Sequence, residues 1–117
     1  MKINPRVKKI IETNPMALAT IDNKKPYVIA VAFCKMVSDT EILITDNFMK
    51  RTLKNIDKNK NIALVVWKGF EGYQFLGTCK YFKAGKWVDY VKSLKENKKL
   101  PAKGAILVKV NKIIQSK

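Results

Sequence analysis

EILITDNFMKRTLKNI, residues 41–56, carries an apolar strand straight into a helix start marked by Lys50, Arg51 and Thr52. Met49, Leu53 and Ile56 recur at i, i+4 and i+7. The segment after Asp46-Asn47 is therefore expected to be an amphipathic helix, capped by one of those two residues. A helix N-terminus presents N–H groups that no helix carbonyl accepts, and its dipole favours an anion. Two cations and a hydroxyl at the same turn would add charge-assisted donors suited to a phosphate monoester. Asn55, one turn beyond Arg51, is placed to add a further hydrogen bond. A solvated cationic helix face accounts for the same residues, because Lys-Arg-Thr is too short to be a fingerprint. Thr45 and Asp46 end the strand, where ligand contact and turn chemistry are both open.

Working outward, Pro5–Thr13 reads as a helix with Val7, Ile10 and Ile11 on one face, stopped by Asn14-Pro15. MALATID (Met16–Asp22) is a strand, and Asn23-Lys24-Lys25 a tight connection. Pro26 opens a longer strand, PYVIAVAFCKMV, whose near-continuous apolar run predicts burial on both faces. IALVVW (residues 62–67) is a further buried strand, and YQFLGTCKYF another. Gly77 inside it predicts a bulge or a close backbone approach. Residues 86–96 read as a helix with Trp87, Val91 and Leu94 inward, and GAILVKVNKI as the last strand. About six strands and three short helices, without regular βαβ alternation, favour a closed or partly closed barrel over a doubly wound sheet.

Composition removes several chemistries. The chain has no histidine, so His triads, His-based acid–base catalysis and His metal ligation are excluded. Cys34 and Cys79 stand apart with no CxxC spacing and cannot build a zinc site alone. Cys34 also lacks an evident activating base, and the carboxylates form no convincing acid–base pair. No Gly-rich phosphate loop follows a strand, and Trp67, Tyr73 and Trp87 read as core or interface aromatics. The net charge of +15 is spread along the chain, with Arg only at positions 6 and 51. Sequence-reading nucleic-acid binders rely on Arg for bidentate contacts, so nucleic acid is not the expected partner. With neither a secretory leader nor an apolar run of spanning length, the expected compartment is the cytoplasm, with no membrane association.

Taken in order, ATIDNKKPYVIAVAF, ILITDNFMKRTLKNI, IALVVW, GYQFLGT and GAILVKV make residues 14–113 resemble the pyridoxamine 5′-phosphate oxidase-like family of small flavin-binding split-barrel proteins. The resemblance implies a mainly β (α+β) fold, a six-stranded Greek-key split β-barrel with short flanking helices, as one domain over residues 1–117. It further implies a homodimer with FMN at the subunit interface. Lys50, Arg51 and Thr52 would then hold the FMN phosphate, with Arg51 and Thr52 on the family's cation and small-or-hydroxyl positions. Ile29, Ala30, Val31 and Ala32 match the stretch whose backbone borders the isoalloxazine ring. Ile44, Thr45 and Asp46 match the strand end beside the ring and ribityl chain. Gln74 matches an amide that small members carry before the glycine at position 77, reaching a flavin from the partner subunit.

Two departures bear on function. Full-length oxidases carry additional C-terminal sequence that holds substrate and flavin, whereas this sequence stops at Lys117 and has no histidine, which argues against vitamin B6 oxidation. Ala30 stands where many relatives place a polar residue, so ring recognition would depend on backbone and shape. The resulting expectation is an FMN-binding redox protein, either a flavin reductase-like oxidoreductase or an electron carrier, with NAD(P)H or a protein as electron donor. A non-catalytic module holding flavin or haem is the first rival, and a basic nucleic-acid binder the second.

Overall fold

In the computed structural model, which describes residues 2–116, each element arises where the local pattern asks for it. Helix α1 (Pro5–Thr13) starts with proline at its first position and is capped by Asn4, whose side chain accepts the Val7 N–H. It lays Val7, Ile10 and Ile11 onto the core. Strands β1 (Met16–Asp22) and β2 (Lys25–Val31) form a hairpin through Asn23 and Lys24, whose φ values of 49° and 73° suit a two-residue turn with both central residues left-handed. Then follow β3 (Cys34–Ser38), β4 (Glu41–Asp46), α2 (Arg51–Lys58), β5 (Asn61–Lys68), β6 (Glu71–Phe82), α3 (Lys86–Ser93), a 3₁₀ turn (Lys95–Asn97) and β7 (Gly104–Ser116).

All pairings are antiparallel, in the order β2-β1-β5-β6-β7-β4-β3. The two outermost strands, β2 and β3, are consecutive in the chain and separated by Ala32 and Phe33 alone. The sheet therefore curls until its ends meet at that bend, which makes a split barrel. The strand expected over residues 26–37 is broken there, so six expected strands become seven. Burial of that stretch on both faces is also corrected. As a sheet edge, β2 leaves Val28 64% exposed and Ala30 exposed. An apolar run alone does not distinguish a doubly covered strand from an edge awaiting a ligand or a partner.

Leu18, Ile42, Ile44, Leu64, Val66, Phe75, Ile106 and Val108 fill the barrel with α1 over it. A second, smaller core lies outside, where α3 sets Val88 and Val91 against Leu43 and Ala105 of β4 and β7. The helix expected over residues 86–96 ends at Ser93 and is followed by the 3₁₀ turn. Gly77 fulfils both expectations placed on it, because the β6–β7 register shifts there and the Lys109 backbone presses against it.

Arg6 ties α1 to the β5–β6 hairpin, donating from Nε and Nη2 to Glu71 at 2.9 and 2.7 Å, and the Tyr73 hydroxyl donates to the same carboxylate. These donors, Arg6 foremost, pull the Glu71 carboxyl from an ordinary 4.5 down to about 2. A depressed folded value means the contact helps the fold above the ordinary range, and that help is lost as pH falls from about 4.5 toward 2. Carboxyl NMR is expected to give Glu71 a midpoint near 2 that moves upward in Arg6→Ala. An unmoved midpoint would refute this origin of the shift.

Candidate functional site

Strand β4 delivers Thr45 and Asp46 to one end of the barrel, and the chain then turns through residues 47–50 before α2 begins. Helix onset at Arg51 corrects the expected cap: Lys50 takes that place, and no side chain caps the helix. Asp46 Oδ1 accepts the Met49 N–H at 2.9 Å, so it closes the turn instead of the helix. Asp46 is fully buried, and its Oδ2 accepts the Tyr81 hydroxyl at 2.6 Å and meets Lys103 Nζ at 3.1 Å. Burial, then that hydrogen bond, raises the Tyr81 hydroxyl well above its ordinary value and keeps it a donor. Asn47 is spent on distant backbone and side chain, giving Nδ2 to Asn97 Oδ1 at 2.7 Å and accepting the Ala102 N–H at 2.8 Å.

A cleft of about 590 Å³ opens between this turn and β2. Ligand clefts typically span about 300–1,000 Å³. One wall is Tyr27 with Ile29, Ala30, Val31, Ala32 and Phe33; a second is Lys50, Arg51 and Thr52 with Thr45; the third is Asn47, Phe48, Met49 and Leu100. The β2 wall is a sheet edge, so the outward N–H and C=O groups of β2 have no ladder partner among the described residues. Thr52 is 2% exposed, yet its hydroxyl makes no side-chain hydrogen bond among the described residues. Arg51 Nη1 meets Asp22 Oδ2 at 3.3 Å.

The residues singled out in the sequence divide accordingly. Ile29, Ala30, Val31, Ala32, Thr45, Lys50, Arg51 and Thr52 come together in the cleft. Ile44 and Asp46 lie behind it, both fully buried. Asn55 turns away from the cleft, donating from Nδ2 to Thr20 Oγ1 at 3.0 Å and pinning α2 to β1. Gln74 lies on the outside of the barrel, between Val65 and Ile114. Tyr27 and Phe33 were missed although they flank the chosen run. Phe48 and Met49 were missed inside the opening segment, and Leu100 lies in a polar loop that gave no signal. Cys34 is 1% exposed and its thiol is pushed up to about 12, by burial first and by Glu12 second, which leaves no thiolate for attack. Among the described residues no cluster of three or more His, Cys, Asp or Glu could hold a metal, and no helix is long and apolar enough to cross a membrane.

The donor set fits a phosphate-bearing planar cofactor. Uncapped helix N–H groups, the Thr52 hydroxyl and two cations stand at one end, and an apolar wall with backbone edge groups runs from it.

A family model described as pyridoxamine 5′-phosphate oxidase matches residues 3–117. An uncharacterised protein of Methanocaldococcus jannaschii is 31% identical over 123 residues, covering all of this chain and 83% of that protein. The crystal structure of HupZ from Group A Streptococcus superposes with a TM-score of 0.87 at 22% identity, covering 97% of this chain and 93% of HupZ. An FMN-binding protein from Syntrophomonas wolfei superposes with a TM-score of 0.73 at 15% identity, covering 94% of this chain and 79% of that one. At such identities the two structures speak for the fold.

Proposed function

Because the chain belongs to the pyridoxamine 5′-phosphate oxidase family, which it matches over residues 3–117, we propose that it binds FMN and works as a flavin-dependent oxidoreductase or electron carrier. The observation that carries this reading is the cleft itself, where a cationic, hydroxyl-bearing helix start and the free edge of β2 share one cavity. When bound, FMN supplies hydride or electron transfer. The protein's part is placement. Arg51, Lys50, the Thr52 hydroxyl and the first N–H groups of α2 hold the phosphate. Ile29 to Ala32 offer a flat apolar wall and backbone partners to the ring, while Thr45 borders the ribityl side. Phe48 and Leu100 flank the cleft and would shield one side of a bound ring from water. The surplus of positive charge favours an anionic electron donor such as NADPH. The two buried free thiols suit a reducing compartment, the cytoplasm.

A homodimer is part of the same proposal. Ala30, Ala17, Val65, Gln74 and Ile114 stand in one row across five strands, and Val28, Ala19, Ala63, Leu76 and Lys112 in the next. With Trp67 half exposed beside them, these side chains make a broad, mostly apolar outer sheet face of the kind that marks an interface. Val65→Asp would place a charge at its middle. That variant is expected to run as a monomer in light scattering while keeping its β-sheet circular dichroism; a mass equal to the parent's would sink this choice of face.

The cofactor reading is tested by reconstituting purified protein with FMN and recording its absorbance, then adding NADPH. Bound flavin that bleaches supports a redox protein, whereas bound flavin that never bleaches favours a passive cofactor module. Protein that ignores FMN and binds DNA with a steep salt dependence would overturn the reading.

A further inference from the structure

The segment between α3 and β7, residues 94–103, lies beside the cleft and contributes Leu100 to its wall. It is not held by a strand ladder. Lys99 and Ala102 adopt left-handed φ values of 70° and 46°, which cost non-glycine residues energy and need contacts to sustain them. Glu96 meets Lys35 of β3 at 2.6 Å, and four further polar contacts lead to the turn at residues 46–49. Lys103 Nζ donates to the Met49 carbonyl at 2.5 Å and meets Asp46 at 3.1 Å. Asn47 contributes both ends of its amide: Nδ2 to Asn97 at 2.7 Å and Oδ1 to the Ala102 N–H at 2.8 Å. The backbone donor at Ala102 fixes which way the Asn47 amide faces, and this in turn fixes the Asn97 oxygen toward it. The cost is visible: Asn97 is 2% exposed, and its Nδ2 has no partner among the described residues.

We propose that Asn47 is a positioning residue: it latches the 94–103 segment onto the turn that carries Phe48 and Met49, and so holds Leu100 beside them in the third wall of the cleft. Its consequence for flavin rests on the function proposed above; the latch itself does not. A ligand lying against that wall loses affinity when the latch opens, whether or not it carries a phosphate. The signature thus differs from loss of a phosphate donor.

The test uses the full chain with Asn47→Ala and Asn47→Asp. Without ligand, a lysine-specific protease is expected to cut Asn47→Ala after the exposed Lys98 and Lys99 about tenfold faster than the parent, on the scale of a lost buried hydrogen-bond pair, with cleavage elsewhere unchanged. Asn47→Asp is expected to restore protection. Its carboxylate still accepts the Ala102 N–H, and a flipped Asn97 can donate Nδ2 to the second oxygen. In Asn47→Ala, FMN and riboflavin affinities should both fall by about the same factor of ten. Parental cleavage in Asn47→Ala, faster cleavage at every site alike, or unchanged flavin affinities despite a loosened segment would each overturn the proposal. If the parent protein binds neither flavin, the cofactor reading fails alone, and the cleavage comparison still decides the latch.

Discussion

Arg51→Ala combined with Thr52→Ala is expected to weaken FMN binding about a hundredfold and riboflavin binding no more than about threefold. Each charge-assisted hydrogen bond to phosphate contributes about 1.5 kcal/mol, and two of them make close to two decades in Kd. Neither residue holds the fold together. Arg51 is half exposed, and its 3.3 Å contact with Asp22 is a surface pair worth little. The Thr52 hydroxyl has no side-chain partner to lose among the described residues. Fluorescence titration with both ligands, beside a melting curve, is therefore clean. Equal losses of FMN and riboflavin would show that the phosphate does not sit at this turn.

The second large effect is structural. Gly77→Ala is expected to cost about 3 kcal/mol or more, visible as a much lower urea midpoint. A Cβ on Gly77 would stand 2.0 Å from the Lys109 carbonyl oxygen and 2.9 Å from its carbon. Both are backbone atoms, so no rotamer relieves the clash, and the β6–β7 ladder must part at its bulge. Gly69 is a useful contrast at φ +61° in the β5–β6 turn: an added Cβ there has nothing within 4 Å. Alanine at that site carries only the backbone penalty, on the order of 1 kcal/mol. Similar midpoints for the two variants would contradict the close approach at Gly77.

What could be read in advance follows the range of the interactions involved. Pro5–Thr13 and Met16–Asp22 were legible to the residue because a helical apolar face, the Asn14-Pro15 stop and the Asn23-Lys24 turn define them locally. Lys50, Arg51 and Thr52 were legible as a helix start because helix-start chemistry is also local. The break at Ala32-Phe33 was not, since apolar residues continue through it and periodicity does not register a bend between two sheet edges. Asp46 and Asn47 are both good caps by type, but Tyr81, Asn97, Ala102 and Lys103 claim their side chains across more than thirty positions. Asn55 was placed on the right helix, but Thr20 draws it inward. Leu100 reaches the cleft only because the segment bearing it is fastened there.

The bend at Ala32-Phe33 also shapes how the chain reaches its fold. Three hairpins, β1–β2, β3–β4 and β5–β6, need only short turns and can form early, whereas β1–β5 and β4–β7 must join distant parts of the chain. A two-residue tether links the first hairpin to the second, so once one of them docks on the β5–β6–β7 platform the other is held close, and its docking pays little further loop entropy. Barrel closure should thus come as one concerted late event, with the cleft absent until the ring is complete.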